Sequence, residues 1–554
     1  MIVAAYAILA LLLIPATMTV VLGYRPSDLT VHNERWLMRD RIDPLLRELD
    51  RRFGSRWLPP AAVVVLCAFL SPWTSWQNVD PVGAVRAIAT AVAAIVAWKC
   101  ATIGVNLALG ERRVGARVLT AGAAVLVWWH PAALVLLLNV AINDLHGWEH
   151  HRHMPLRILF AVLSFALVRG LAGALGAATG LVLPQSSGAA LFVVLIVATS
   201  HYVIPAIGKL RMGSHPFDWM LSNRFDYIAA CAFSWGWRRD RSEAQVLRLC
   251  GVVRRMNPVF GALTVAAELS TAFALVEVRV AIAALLAVTA MHLGIVALSG
   301  LFFWEYAATS AAIATVLFVM RGDPGVAGVF SVETAGAALL AMWFGIYVLK
   351  LWSPWRVSWW DGPFATVTEM VAVDGNGREY GIEAGDFGAN ARAFARTFGR
   401  AYCDQPVIQG HPGARIDSMD SHDGEIEQPG SVRERAHPKQ VRDALIATGG
   451  DPTDLAAVKE RYGRLLCNAE RAEYCDRFLI AHFRALNAGG RVSILPDLIE
   501  WLGAPVGQHY RFALAEPYRG QEPVRSLVLR VREDFYTGDR FVSTVHTVRE
   551  FSID

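Results

Sequence analysis

The chain has 554 residues, of which 54% are hydrophobic and only 18% charged, with a mean hydropathy of +0.37; this is more apolar than an ordinary soluble chain of its size. A net charge of +4 with no concentrated basic tract gives no argument for nucleic acid as a partner. Seven scattered cysteines without CxxC spacing define neither a disulfide framework nor a zinc site.

A membrane span needs about 20 mostly apolar residues, because lipid offers no partner to an unpaired backbone amide. Segments that meet or approach this requirement lie at 2–22, 58–73, 81–109, 114–142, 156–183, 189–210, 259–276, 280–298, 301–320 and 332–351. They predict an all-α polytopic transmembrane helical bundle of about 8–10 spans, occupying residues 1–352. The second segment is short enough to be half-inserted. The first lacks a basic n-region and a small-x-small cleavage site, so it reads as a retained helix.

Residues 25–56 interleave arginines with acids, and 35–53 carry apolar residues at helical spacing, the pattern of an interfacial helix. Residues 111–117 and 238–255 are also rich in arginine. The positive-inside rule assigns all three stretches to the cytoplasm and the N-terminus to the outside. Between Arg117 and Arg238, however, three apolar segments stand where two crossings are required, with loop 143–157 outside. One of the three is expected to be re-entrant or miscounted. Four further spans bring the tail to the cytoplasmic side of the cell membrane.

After Trp352 the apolar runs stop, and residues 353–554 read as a soluble α+β domain expected to fold on its own. Strand-like alternation at 367–382 surrounds the turn Asp374-Gly375-Asn376-Gly377, a hairpin signal. A helix is expected at 386–402, a loop at 409–433, helices at 438–447 and 454–487, and strands at 508–515, 524–534 and 540–551. No phosphate-binding glycine loop, nucleophile elbow or metal motif occurs there.

Ionisable residues inside spans are costly and therefore mark candidate sites. Lys209 ends the apolar run 189–210; desolvated, it is a competent general base, and at a helix end it is equally able to snorkel to the headgroups. His130, in Trp128-Trp129-His130-Pro131, falls mid-span, where an imidazole relays a proton or bonds a neighbouring helix. Glu268 must be protonated or paired, and His292, near the centre of its span, is a candidate partner. Trp304-Glu305 is expected at the interface. The cluster His146-Gly-Trp-Glu-His150-His151-Arg-His153 has the spacing of one di-iron oxygenase box. Such sites use about three boxes, so no metal is expected there. Lys209, His130, Glu268 and His292 are expected to converge on one intramembrane cavity.

The order of these residues resembles a known family. Tyr202-Val-Ile-Pro-Ala-Ile-Gly-Lys209-Leu210, then Trp219, then Glu268-Leu269, then Met291-His292-Leu293 and Phe303-Trp304 is similar to the horizontally transferred transmembrane domain superfamily, which contains vitamin K-dependent gamma-carboxylase. The resemblance covers roughly residues 30–320 and is best at 195–305. It implies Lys209 as the base, with His130, followed by Asn143-Asp144, as its relay. Glu268, His292 and Trp219 would bind a reduced, vitamin K-like quinone. In the family the lysine deprotonates the hydroquinone, which reacts with oxygen to give a strong base for glutamate carboxylation. Implied partners are membrane lipid, a quinone and a protein or peptide substrate. A non-enzymatic membrane component that handles a lipid or a partner protein remains an alternative, as does, more remotely, a metal-dependent oxygenase.

Overall fold

A computed structural model of the chain describes residues 2–22, 58–102, 114–143, 153–180, 188–237, 241–300, 303–352, 354, 360–382, 402, 405–408, 415–416, 437–463, 469–489, 516, 518, 520 and 522–553. The bundle is built from α1 (Ile2–Leu22), α2 (Leu58–Phe69), α3 (Ala84–Thr102), α4 (Val114–Val127), α5 (Ala133–Asn143), α6 (His153–Thr179) and α7 (Ala189–Arg211). These are followed by α8 (Phe225–Ser234), α9 (Glu243–Ser270), α10 (Val278–Ser299), α11 (Trp304–Met320) and α12 (Val332–Met342). Among the described residues four helices, within α3, α6, α7 and α10, are long and apolar enough to cross a membrane.

Helix α7 is the axis. It is apolar on all sides, so burial on every face is its stable state, and it is buried almost without interruption from Ala189 to Ala206. Helices α1, α6, α9 and α12 pack around it. Its polar residues bond back to their own helix: Thr199 Oγ1 donates to Leu195 O at 2.7 Å and Ser200 Oγ to Val197 O at 2.7 Å. Lipid supplies no other partner, so this local bonding is what lets them stand in an apolar helix.

The segment 114–142, expected as one span, is two helices. Pro131 lacks an N–H and pushes His130 out of helical geometry, and the chain turns between Val127 and Ala133. His130 Nδ1 accepts a hydrogen bond from Ala132 N at 3.1 Å, which stabilises the start of α5. Helices α4 and α5 then pack against each other as a hairpin.

In the C-terminal half, β2 (Phe364–Asp374), β3 (Glu379–Gly381), β5 (Val524–Tyr536) and β6 (Phe541–Ser552) form an antiparallel sheet in the order β3-β2-β5-β6. The short β1 (Trp360–Asp361) and β4 (Arg415–Ile416) pair separately. The expected hairpin is present: Asp374 Oδ1 accepts from Asn376 N and Arg378 N, and Gly377 takes a positive φ of 79°. Helices α13 (Pro438–Ala447), α14 (Pro452–Tyr462) and α15 (Ala469–Asn487) complete the described part, so the helical stretch 454–487 is divided in two. The interfacial helix at 35–53, the helix at 386–402, the strand at 508–515 and most of the 409–433 loop lie outside the described residues.

The sheet does not close its core alone. Ala365, Val367, Met370, Leu527, Leu529 and Tyr536 share one apolar cluster with Tyr227, Cys231 and Trp235 of the α8 region and with Val246 and Cys250 of α9. Arg532, paired with Glu369 and Asp534 inside the sheet, also donates to Ser234 O at the C-terminal end of α8, at 2.6 Å. An exposed carbonyl at a helix C-terminus favours such a cation. The expected boundary residue Trp352 is itself buried and donates from Nε1 to Ser200 Oγ of α7 at 3.0 Å.

Candidate functional site

Lys209 stands in the last turn of α7 and Glu268 in the last turn of α9. Lys209 Nζ lies 2.7 Å from Glu268 Oε1 and 2.8 Å from Oε2, and the two residues are 7% and 5% exposed. No other hydrogen bond reaches the Glu268 carboxylate among the described residues. Trp219, on the short helix Asp218–Ser222, places its ring 5.4 Å from the Lys209 ammonium. Trp219 packs edge-on against Phe225, and Phe225 against Phe260, so the pair is walled by aromatic surface. Taking two charges out of water is costly unless each faces the other in good geometry, which this arrangement provides.

Two helical turns before Lys209, Tyr202 projects from α7 toward α10 and α11. Its hydroxyl lies 2.7 Å from Ser310 Oγ and 3.3 Å from His292 Nε2. Tyr306 stands at the centre of this group, its ring 6.1 Å from His201, 6.1 Å from Tyr202 and 5.9 Å from His292. His292 Nδ1, His201 Nε2 and Thr309 Oγ1 are buried without a hydrogen-bond partner among the described residues. Lys209 and Tyr202 stand two turns apart on α7, so the ion pair and the tyrosine–histidine group share that helix.

The structure thus brings together Lys209, Glu268 and Trp219, while His292 bonds Tyr202, two turns away on the helix that carries Lys209. His292 is not the partner of Glu268; the lysine is. His130 makes its contacts elsewhere, with Ala132 and, through Nε2, with Thr74 Oγ1 at 3.4 Å. Nothing in its described surroundings connects it to Lys209, so the four expected residues do not form one contact group. Glu305, expected at the interface, is 2% exposed and pairs with Lys99 at 2.6 Å. His201 is packed against Tyr306 rather than isolated. Residues 144–152 of the histidine cluster, and the side chain of His153, lie outside the described residues. Cys67, Cys100, Cys231 and Cys250 are buried and form no disulfide among the described residues.

Sequence reasoning missed Tyr202, Tyr306, Ser310, Lys99 and the pair below the site, Asp218–Lys439. One signal was available. Of 52 basic residues five are lysines, at 99, 209, 350, 439 and 459. Four of the five meet a carboxylate: Lys99 with Glu305, Lys209 with Glu268, Lys439 with Asp218 and Lys459 with Glu533. Where the chain departs from arginine, it places a compact point charge against one acid.

Immediately beside Trp219, Asp218 receives Lys439 Nζ of α13 at 2.8 and 2.6 Å on its two oxygens. Ser214 N, Ser214 Oγ and Ser222 Oγ donate to the same carboxylate at 2.9, 3.1 and 2.8 Å. Burial alone would raise this carboxyl, but the Lys439 ammonium and the serine donors outweigh it and hold the group well below the usual carboxylate range. Comparison of the chain with protein-family models, with characterised proteins and with solved structures finds no match.

Proposed function

We propose that this chain is a multi-pass membrane protein whose bundle holds an acid–base site, Lys209–Glu268, that works on a lipid-soluble, quinol-type molecule, in line with the carboxylase-like resemblance. The observation that carries the reading is a buried ammonium and a buried carboxylate joined by two hydrogen bonds, at 2.7 and 2.8 Å, among apolar helices. A proton passed from Lys209 Nζ to Glu268 leaves two neutral groups and no net charge in lipid, so the amine becomes a base at little electrostatic cost. A hydroxylated ring fits the neighbourhood, because Tyr202 and the unpartnered Nδ1 of His292 offer hydrogen bonds inside otherwise apolar helices. Bound there, a reduced quinone would supply reducing equivalents and an acidic hydroxyl. Lys209 would accept its proton, His292 and Tyr202 would orient it, and Trp219 and Phe225 would exclude water.

Helix ends support an orientation. Asn139 near the end of α5 donates to Val21 O at the end of α1 at 2.7 Å, Lys99 near the end of α3 meets Glu305 at the start of α11, and Arg117 at the start of α4 donates to Ala101 O. These ends belong to the face on which the C-terminal domain docks. At the opposite face, a Cβ on Gly188 would meet Val329 and one on Gly325 would meet Val82. With α4 and α5 as a hairpin, both ends of 114–143 return to the docking face, whether the hairpin crosses the bilayer or dips into it. The parity conflict of the sequence then disappears, and Arg117 stands at the docking face. The positive-inside rule makes it cytoplasmic.

The test is oxygen consumption by purified protein supplied with a reduced quinone. Lys209→Arg is expected to abolish it while the protein stays folded, because a guanidinium remains protonated even when buried. Consumption unchanged in Lys209→Arg would remove the catalytic lysine. The non-enzymatic alternative uses the same pair as a clamp between α7 and α9; a phospholipid as the sole molecule that copurifies, with no oxygen consumed, would favour it.

A further inference from the structure

The short helix Asp218–Ser222 has five residues. That is too few to persist alone, since helix nucleation costs more than one turn returns, and no side chain caps its N-terminus. Its position is set from outside by two bodies. One is α9, where Gly261 lets the Met220 backbone approach so closely that a Cβ there would run into the Met220 carbonyl oxygen. The other is the C-terminal domain. Lys439 takes both oxygens of Asp218, Arg442 Nη1 donates to Ser222 O at 3.0 Å, and Asn223 exchanges hydrogen bonds with Asp361 at 2.7 and 2.9 Å.

Lys439 and Arg442 stand three residues apart on α13, hence on one face. Both lie over the ring of Trp360, at 5.4 and 4.5 Å. Trp360 is fully buried in the same apolar cluster as Trp219 and Phe225. The domain therefore holds residues 218, 222 and 223, and the residue between the first two anchors, Trp219, is the one that covers Lys209.

Neighbouring helical residues point about 100° apart, so a roll of the short helix that moves the Asp218 carboxylate necessarily swings the Trp219 ring. The ring stands 5.4 Å from the ammonium, close to the roughly 6 Å limit of a cation–π contact. A displacement below about 1 Å therefore decides whether the contact exists. An aromatic face stabilises an ammonium and gives nothing to a neutral amine.

We infer that Lys439 is a positioning residue for the membrane site: by clamping Asp218 it sets Trp219 over Lys209, so that docking of the C-terminal domain keeps the amine charged and covered, and release of the clamp makes it reactive. The inference rests on Lys209 being the working residue of the proposed site, but its test reads the amine directly and needs no turnover.

The full chain in lipid nanodiscs is treated with a membrane-permeant amine reagent, and labelling of each of the five lysines is followed by mass spectrometry. Reaction of Cys250, buried beneath the domain, with maleimide reports in parallel whether the domain has left. Lys439→Met is expected to raise Lys209 labelling at least threefold with Cys250 still protected. Lys439→Arg, which keeps the charge and the contact with Asp218, should restore the wild-type rate. Trp219→Leu should match Lys439→Met, and the double variant should show no further increase. An unchanged Lys209 rate in Lys439→Met, or increases that multiply in the double variant, would overturn the inference. If Lys439→Met exposes Cys250, Asp218→Asn is judged by the same criteria. A changed labelling rate beside oxygen consumption that survives Lys209→Arg would sink the catalytic reading and leave this one standing.

Discussion

Two lysine–carboxylate pairs flank Trp219, with nearly the same geometry and different surroundings. Lys209–Glu268 closes at 2.7 and 2.8 Å, Lys439–Asp218 at 2.6 and 2.8 Å. The Asp218 carboxylate has three further donors from Ser214 and Ser222, and the Lys439 side chain is 28% exposed. The Glu268 carboxylate has its lysine alone among the described residues, and both partners are nearly sealed from solvent. An anion with several donors is fixed in its charged form; an anion with one donor, in an apolar setting, is the kind that exchanges a proton. The difference separates a clamp from the proposed reactive pair more clearly than the distances do.

The largest expected effect breaks the reactive pair. Glu268→Ala leaves the Lys209 ammonium buried without its counter-charge, and such losses cost about 3–5 kcal/mol. Asp218→Ala leaves Lys439 able to turn to water, so its cost should be about 1–2 kcal/mol. Thermal unfolding of both variants in the same nanodiscs checks the order. Equal losses would mean that the two carboxylates do the same work and that their surroundings do not matter.

A second, smaller test asks what else holds the domain down. Burial, the leading cause, pushes the Cys250 thiol up to about 12, so that at pH 8 roughly one molecule in 10⁴ carries a thiolate. Maleimide should leave Cys250 untouched over hours in the wild type, and also in Asp218→Ala, because the sheet shares its core with α8 and α9. Rapid reaction in Asp218→Ala would show that the ion pair, not the shared core, secures the domain.

The two members of the buried pair were legible in the sequence, though not their pairing, and the clamp was not legible at all, for a physical reason. Glu268 and Lys209 stand out because lipid-facing charge is forbidden, so each had to find a partner inside the bundle. The hairpin signal at 374–377 was equally local, and the strands at 524–536 and 541–552 follow from alternation. Asp218 and Lys439 lie 221 residues apart in polar surroundings where charges are ordinary, and no local pattern pairs them. The surroundings of His130 were not legible either, because Pro131 turns the chain there and sets the histidine against Ala132 and Thr74. Nor does a local pattern show that Tyr227, Cys231 and Trp235 share an apolar cluster with a sheet so far along the chain.

The smallest expected effect is the most diagnostic of the clamp. The Asp218 carboxyl lies well below the usual carboxylate range in the folded chain, while in the unfolded chain it titrates near the ordinary value of about 3.9. A carboxyl lowered on folding adds stability that is complete above the unfolded value and fades as pH falls from there toward the folded one. Hydrogen exchange of α13 should therefore be slower in the wild type than in Asp218→Asn by a ratio that stays constant from about pH 8 to about pH 5 and narrows below about pH 4. Intrinsic exchange chemistry cancels in that ratio, because the two proteins differ in one side chain. A ratio already collapsing near pH 6 would mean that burial wins over Lys439 and the serine donors. Asp218 would then be raised rather than lowered, and the contrast with Glu268 would fall.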